Sequence, residues 1–420
     1  MRRPDSSWLA RLLHPATAAI AAVLARGILA MATGAYWHPE YFESETLVRN
    51  WLGGHGYTYS FLGTVYRSFH SMLPYDGLTA AVYACTGGSH TAMLVVQWGC
   101  AAALCVMVGR LAYRCGGAWV AGGAAWLVAL HPGFLAYDAM KLQQFSFDAC
   151  LVVGFLLAIV RWAETPSHIR ACAAGGFTGL LMYERGTMAL VFPLVLFWVK
   201  RRGRVSWRDW TRQVVAYGIA ASLVLAPWMI RNMCVYHRVM PMMTTTGMAL
   251  WKGNHEGATG TEYTADGRSI LAQAPAGLEG ASELQQMELF HAEAMRFLRH
   301  HPVAAWQLYW RKLGYFWWMS PHAGLTYPRL WLVVYQLWYV LMCGAALAGT
   351  WAMRKDAAQR GLAQLMWIVG IGFSVGQAIF YIAGRHRWTI EPVLLMLAAV
   401  GIARGLAWSS EAQRPLSATG

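Results

Sequence analysis

What most constrains this chain is a series of apolar runs, most of them about as long as a helix needs to cross a bilayer, which takes roughly 20 residues. They lie near 16–36, 89–109, 117–136, 144–162, 171–183, 186–199, 213–230, 328–350, 362–383 and 390–407. The fifth and sixth are short and read as tilted or incomplete spans. Charged residues make up 13% of the 420 positions, where a soluble domain carries about 25%. The expected fold class is therefore an all-α polytopic membrane protein with about ten transmembrane helices.

Basic residues fix the orientation. With the N-terminus in the cytoplasm, the cytoplasmic segments hold Arg2, Arg3, Arg11, Arg110, Arg114, Arg161 and Arg170, then the cluster Lys200, Arg201, Arg202, Arg204, Arg208 and Arg212, then Arg354, Lys355, Arg360, Arg404 and Arg414. The short outer loops hold only Arg49, Arg67, Lys141, Arg185, Arg385 and Arg387. That asymmetry is the positive-inside pattern. It also accounts for the net charge of +14, so nucleic acid is not an expected partner. The first run ends in Tyr36-Trp37-His38-Pro39, an aromatic interfacial edge rather than a small-residue cleavage site. Arg26 lies inside that run, where a charge either snorkels to the interface or faces a partner. The eight cysteines sit mostly in apolar spans and imply no disulfide framework.

Two outer segments are too long to be turns. Residues 37–88 follow the first span, and residues 231–327 separate spans seven and eight. This divides the chain into an N-terminal transmembrane module (1–230), an outer segment (231–327) and C-terminal transmembrane helices with a short tail (328–420). Within the outer segment, 281–300 has helical periodicity. Residues 303–319 interleave Trp and Tyr with Arg311 and Lys312, as a helix lying in the interface does.

Candidate chemistry gathers on the outer side. Glu40, Glu43 and Glu45 follow Pro39, which suits a first helical turn; in a helix, Glu40 and Glu43 share a face and Glu45 points elsewhere. Arg231, Arg385 and Arg387 lie on the same side, and guanidinium forks match phosphate. Glu184 beside Arg185 reads as a self-neutralising structural pair. His38, His55, His255 and Glu256 read as interfacial or solvated rather than as metal ligands. The chain has no Gly-rich phosphate loop after a strand, no His-Glu-x-x-His and no CxxC.

The tract Ala226–Gly260 carries Pro227-Trp228, then Arg231-Asn232, then Leu250-Trp251-Lys252-Gly253-Asn254. It resembles the junction after the seventh helix in bacterial GT-C membrane glycosyltransferases that use polyprenyl-phosphate sugars, the superfamily of protein O-mannosyltransferases and lipid A aminoarabinose transferases. Arg49-Asn50-Trp51-Leu52-Gly53 is similar to that family's first loop, whose acidic residue falls about ten positions before the Asn. Counting back from Asn50 reaches Glu40, where relatives usually have Asp. The tract Ser71–Cys85 resembles a Pro-centred re-entrant segment, and Gly384–Pro392 the Arg-rich turn before the last helix. Gln144 stands where relatives often carry an acidic residue.

The resemblance implies an integral-membrane inverting glycosyltransferase. It would move a sugar from a polyprenyl-phosphate donor to a lipid, glycan or protein acceptor on the outer face of the bacterial cytoplasmic membrane. Glu40, with Glu43 beside it, is expected to take the acceptor's proton, and Arg231, Arg385 and Arg387 to hold the departing phosphate. Asp76, Asp138, Lys141 and Asn254 are expected to contact substrate. No cofactor is required by this reading, although it is compatible with a divalent metal. The alternatives are a transporter or flippase of a lipid-linked substrate, which suits Arg26 but not the long outer segment, and a non-catalytic scaffold, which leaves the outer Arg and Glu residues unexplained.

Overall fold

The computed structural model describes residues 11–203, 205–240, 242–323 and 328–412. Arg2, Arg3, Arg204 and Arg414, used above for orientation, lie outside the described residues. The apolar runs form helices. These are α1 (Pro15–Ala32), α2 (Glu43–Leu52), α3 (Leu73–Thr86), α4 (His90–Ala129), α5 (Pro132–Met140), α6 (Phe145–Glu164), α7 (His168–Glu184), α8 (Val191–Gly203) and α9 (Trp207–Tyr236). They continue as α10 (Thr246–Gly253), α11 (Glu283–His300), α12 (Pro302–Trp317), α13 (Arg329–Met353), α14 (Ala357–Gln377) and α15 (Glu391–Ala412). Among the described residues five helices are long and apolar enough to cross a membrane: α1, α4, α6, α9 and α13. Helix α4 is two helices joined at Gly116–Gly117, where Gly117 takes a φ of 75° that its missing side chain allows.

Local sequence explains where these helices begin. Ser89, Ser167 and Ser206 each accept a backbone N–H of the first turn of α4, α7 and α9, satisfying donors that have no partner within the helix. Ser282 and Gln285 form a reciprocal capping box at α11. The expected short sixth span is a 3-10 turn, Gly186–Leu190, followed by α8. Pro227 does not end α9, which runs on to Tyr236 and a left-handed cap at His237.

The main apolar core is built from α1, α4, α6, α7, α8, α14 and α15. Helix α6 is its centre: 83% of its most apolar window is buried, against 17% for α9 and for α13. The outer segments have a smaller core of their own, in which Tyr66 and Phe69 from the first segment pack with Met248, Trp251, Ile270 and Phe290 from the second. Helices α11 and α12 coincide with the two helical tracts read in the sequence.

Two local expectations are corrected. The chain after Pro39 is not helical: Glu40 N–H donates to Met140 O (2.9 Å) and Leu142 N–H to Glu40 O (2.8 Å), so this stretch pairs with 140–142 and α2 starts only at Glu43. The first outer segment also holds a hairpin, β1 (Tyr59–Phe61) with β2 (Thr64–Tyr66), an exception to an all-α reading. Its two-residue turn has positive φ at Leu62 and Gly63, the backbone form that matches strand twist.

Candidate functional site

The loops at one end of the bundle enclose a cavity of about 810 Å³. The stretch before α2 supplies Glu40 and Glu43, the α5–α6 connection Lys141 and Gln144, and the end of α7 Glu184 and Arg185. Helix α10 adds Lys252, the following loop Glu262, and the 3-10 turn Gly384–Thr389 adds Arg385 and His386.

Most charges on this wall are paired. Glu40, half exposed, meets Lys141 Nζ at 2.5 Å. Arg185 pairs with Asp148 at 2.6 Å rather than with its neighbour Glu184, whose carboxylate instead accepts the Tyr75 N–H at 2.9 Å. The expected self-neutralising Glu184–Arg185 pair is therefore replaced by a cross-helix pair. Glu262 takes Arg385 at 2.8 Å and lies 3.8 Å from Lys252. Burial works to raise the Glu262 pKa, but Arg385 and Lys252 outweigh it and hold the carboxyl at about 2. His386 is pushed down to about 3 by burial and by the nearby guanidiniums of Arg385 and Arg185, so it faces the cavity neutral. Glu43 differs from these groups: among the described residues no hydrogen bond or ion pair holds its carboxylate. It is the first residue of α2, at the positive end of the helix dipole.

A second, apolar groove of about 490 Å³ adjoins the first cavity. Leu29, Leu135, Leu330, Trp331, Val334 and Trp388 line it, while Tyr137, Glu262, Tyr263 and Arg385 line both spaces. Leu330 and Val334 of α13 are exposed, so this groove opens along an apolar outer surface of the bundle.

The remaining predicted residues lie off the cavity wall. Arg387 is fully buried, donating to Glu391 Oε1 (2.6 Å), Phe316 O (2.7 Å) and Tyr335 Oη (2.8 Å); His131 also binds Glu391. Arg231 donates to Ser68 Oγ (2.7 Å) and lies over the Trp228 ring. Asn254 is buried, bonded to Leu250 O, Ile379 O and the Lys312 ammonium. Asp138 is buried against Arg26 at 2.9 Å and accepts from Ser146, so Arg26 faces a partner rather than snorkelling. Asp76 is buried and accepts from Tyr57; burial, moderated by bonds from Tyr57 and Ser44, pushes its carboxyl up to about 7. Glu45 is buried in a cluster with Arg49, Tyr83 and His90. His255 is buried too, stacked on Trp251, rather than solvated.

The sequence reading missed Lys252, Glu262 and His386 as wall residues and gave Arg185 a different role. Lys252 lies inside the tract Leu250–Asn254, and His386 stands between the two arginines singled out. Among the described residues no group of three or more His, Cys, Asp or Glu side chains is placed to hold a metal ion. The eight cysteines are all free.

No protein-family model matches the chain, and no curated protein matches it at a significant level. Solved structures do. The oligosaccharyltransferase of Archaeoglobus fulgidus in its apo form superposes with a TM-score of 0.52 at 13% identity, covering 96% of this chain and 52% of that one. The archaeal oligosaccharyltransferase AglB from the same organism, in complex with an inhibitory peptide and a dolichol-phosphate, gives 0.51 at 11% identity with the same coverages. ArnT from Cupriavidus metallidurans, bound to undecaprenyl phosphate, gives 0.44 at 12% identity, covering 99% and 82%. The chain shares its fold with the two archaeal oligosaccharyltransferase structures. It spans about half the length of the oligosaccharyltransferase chains it matches.

Proposed function

We propose that this chain is an integral-membrane, inverting glycosyltransferase with about ten spans, the additional ones being α7, α8, α14, α15 and the second half of α4. It takes a sugar from a polyprenyl-phosphate donor and gives it to a lipid, glycan or protein acceptor at the outer face of a bacterial cytoplasmic membrane. The observation that carries the reading is the junction of the two spaces. Carboxylates and cations line one cavity, and its cation Arg385, joined through Glu262 to Lys252, stands where the apolar groove begins. A donor with a phosphate between a sugar and a long apolar chain has that same order of chemistries. AglB, whose fold this chain shares, is seen with a dolichol-phosphate, which supports the donor class.

In this reading the isoprenoid chain lies in the groove, the phosphate at Arg385 and the sugar in the cavity. Glu43 takes the proton from the acceptor hydroxyl as that oxygen attacks the anomeric carbon from the side opposite the phosphate. The bond from the anomeric carbon to the phosphate oxygen breaks, and its electron pair leaves with polyprenyl phosphate. Arg385 and Lys252 are already in place to stabilise that charge. Glu43 is preferred to Glu40 because Lys141 neutralises Glu40; Glu40 and Lys141 then position the first-loop backbone. Arg387, Arg231, Asp76, Asp138 and Asn254 support the wall from behind it.

The test is purified protein in detergent with labelled polyprenyl-phosphate sugar, following release of polyprenyl phosphate. The parent releases it, Glu43→Gln is slower by on the order of a hundredfold to ten-thousandfold, and Glu40→Gln by much less. The reverse ranking returns the base to Glu40. Translocation of intact donor across proteoliposomes, with no sugar released, identifies a flippase and removes the enzyme reading.

A further inference from the structure

The cation pair at the junction of the two spaces already holds an anion. Glu262 reaches Arg385 with one oxygen at 2.8 Å and faces Lys252 with the other at 3.8 Å. None of the three is sealed off: the side chains retain 37% (Arg385), 22% (Glu262) and 15% (Lys252) of their exposure. His386 beside Glu262 is neutral, and so is Tyr381, whose hydroxyl pKa is pushed up by burial and by Glu262. One carboxylate against two cations leaves a net positive site, and the loop backbone around the carboxylate is anchored, so the exchange needs only its side chain to move. Ile270 N–H donates to Glu262 O at 2.9 Å, and Ile382 N–H to Gly260 O at 2.9 Å. Any ligand that extends from the polar cavity into the groove must pass Glu262 and Arg385, because both residues line both spaces.

Resting on the donor site proposed above, we infer that Glu262 is a resident counter-ion that occupies Arg385 and Lys252 until a ligand phosphate displaces it, and that reclaims them when the phosphate leaves. A guanidinium fork binds a phosphate in two parallel hydrogen bonds, so the exchange replaces one good partner with another. The exchange has a direction within the reaction. The sugar donor is a phosphodiester with one negative charge. Once the bond to the anomeric carbon breaks, the phosphate is a monoester, whose second ionisation falls near pH 6, and it is drawn to the two cations more strongly than the donor was. Unopposed cations would hold the product. The returning carboxylate of Glu262 competes for them and lets polyprenyl phosphate go.

Binding separates this role from a merely structural one. A long-chain polyprenyl monophosphate is titrated into the detergent-solubilised full chain, with the polyprenol of equal length and inorganic phosphate as parallel arms. Glu262→Gln, which keeps the shape and loses the charge, binds the monophosphate about two- to fivefold more tightly than the parent, the range an ion pair of this exposure supports. Its affinity for the polyprenol is unchanged, Glu262→Asp returns toward the parent, and Arg385→Gln binds more weakly. In turnover, Glu262→Gln slows after its first cycle, with added polyprenyl monophosphate inhibiting it more strongly than the parent. Equal or weaker monophosphate binding by Glu262→Gln, with Arg385→Gln still impaired, overturns the counter-ion while leaving the donor site standing. If the parent prefers the monophosphate no more than the polyprenol, the donor site fails and the inference fails with it. Equal gains for inorganic phosphate and the lipid, with no preference for the lipid, overturn the carrier as the ligand. A thermal melt of Glu262→Gln checks that the variant is folded, and Glu262→Asp repeats the test if it is not.

Discussion

Lys312 of α12 is an ammonium with, among the described residues, no carboxylate beside it. It is fully buried and donates to Gly253 O (3.1 Å), Asn254 Oδ1 (2.8 Å) and Ile379 O (3.3 Å), tying α12 to the end of α10 and to the chain after α14. Burial without a counter-charge pulls its pKa down to about 7. Below that value the folded protein bears the full cost of the buried charge. Above it the folded state has released a proton that the unfolded state keeps up to about pH 10.4, so stability rises with pH across that window. The parent's stability relative to Lys312→Met should therefore climb by at most about 1.4 kcal/mol per pH unit above pH 7 and stay level below it. Melting both proteins in detergent from about pH 5 to pH 9 checks this, and a level difference throughout would sink it. At this scale the sequence was least legible. Arg385 and Arg387 are two positions apart on a 3-10 turn, so one faces the cavity and the other the interior. Nothing in their spacing favours either. The one available cue was Glu391, four residues after Arg387 and its partner in the structure.

Helix crossings in this bundle are set by glycine. A Cβ on Gly349 of α13 would stand 1.9 Å from Leu397 O, and one on Gly401 of α15 would stand 2.1 Å from Ala345 O. The backbones thus touch where α13 and α15 cross, as small residues allow in membrane bundles. Gly344 on the same α13 has nothing within 4 Å of its Cβ position. Gly349→Ala should destabilise the protein by about 1–3 kcal/mol through overpacking. Gly344→Ala should leave it unchanged or raise it by up to about 1 kcal/mol through helix propensity. Thermal melts of the pair decide it; equal effects would mean the crossing relaxes freely. Helices were the most legible level, since hydropathy marked the long ones, α1, α4, α6, α9 and α13. The stretch after Pro39 was not, because its backbone partners, 140–142, lie about a hundred residues away in sequence. The hairpin was missed because each strand is only three residues long.

For the molecule as a whole, the distribution of basic residues and the gathering of the cavity-lining loops at one end agree. Lys141, Arg185 and Arg385 line the cavity, and all three come from loops assigned outward. Reporter fusions should read cytoplasm after Lys355 and the outer side after Gly260, whose loop carries Glu262. Gly260 in the cytoplasm would move the whole cavity to the other face.

Arg26 and Asp138 bring the order of synthesis into this architecture. The partner that satisfies Arg26 lies 112 residues further along the chain, and chains grow at roughly 5–20 residues per second. For several seconds or more after α1 is made, Arg26 has no Asp138 to pair with, because α5 is still to be synthesised. Helix α1 thus reaches its final energy only after a helix made later has joined it, so an early segment waits on a late one for its stability.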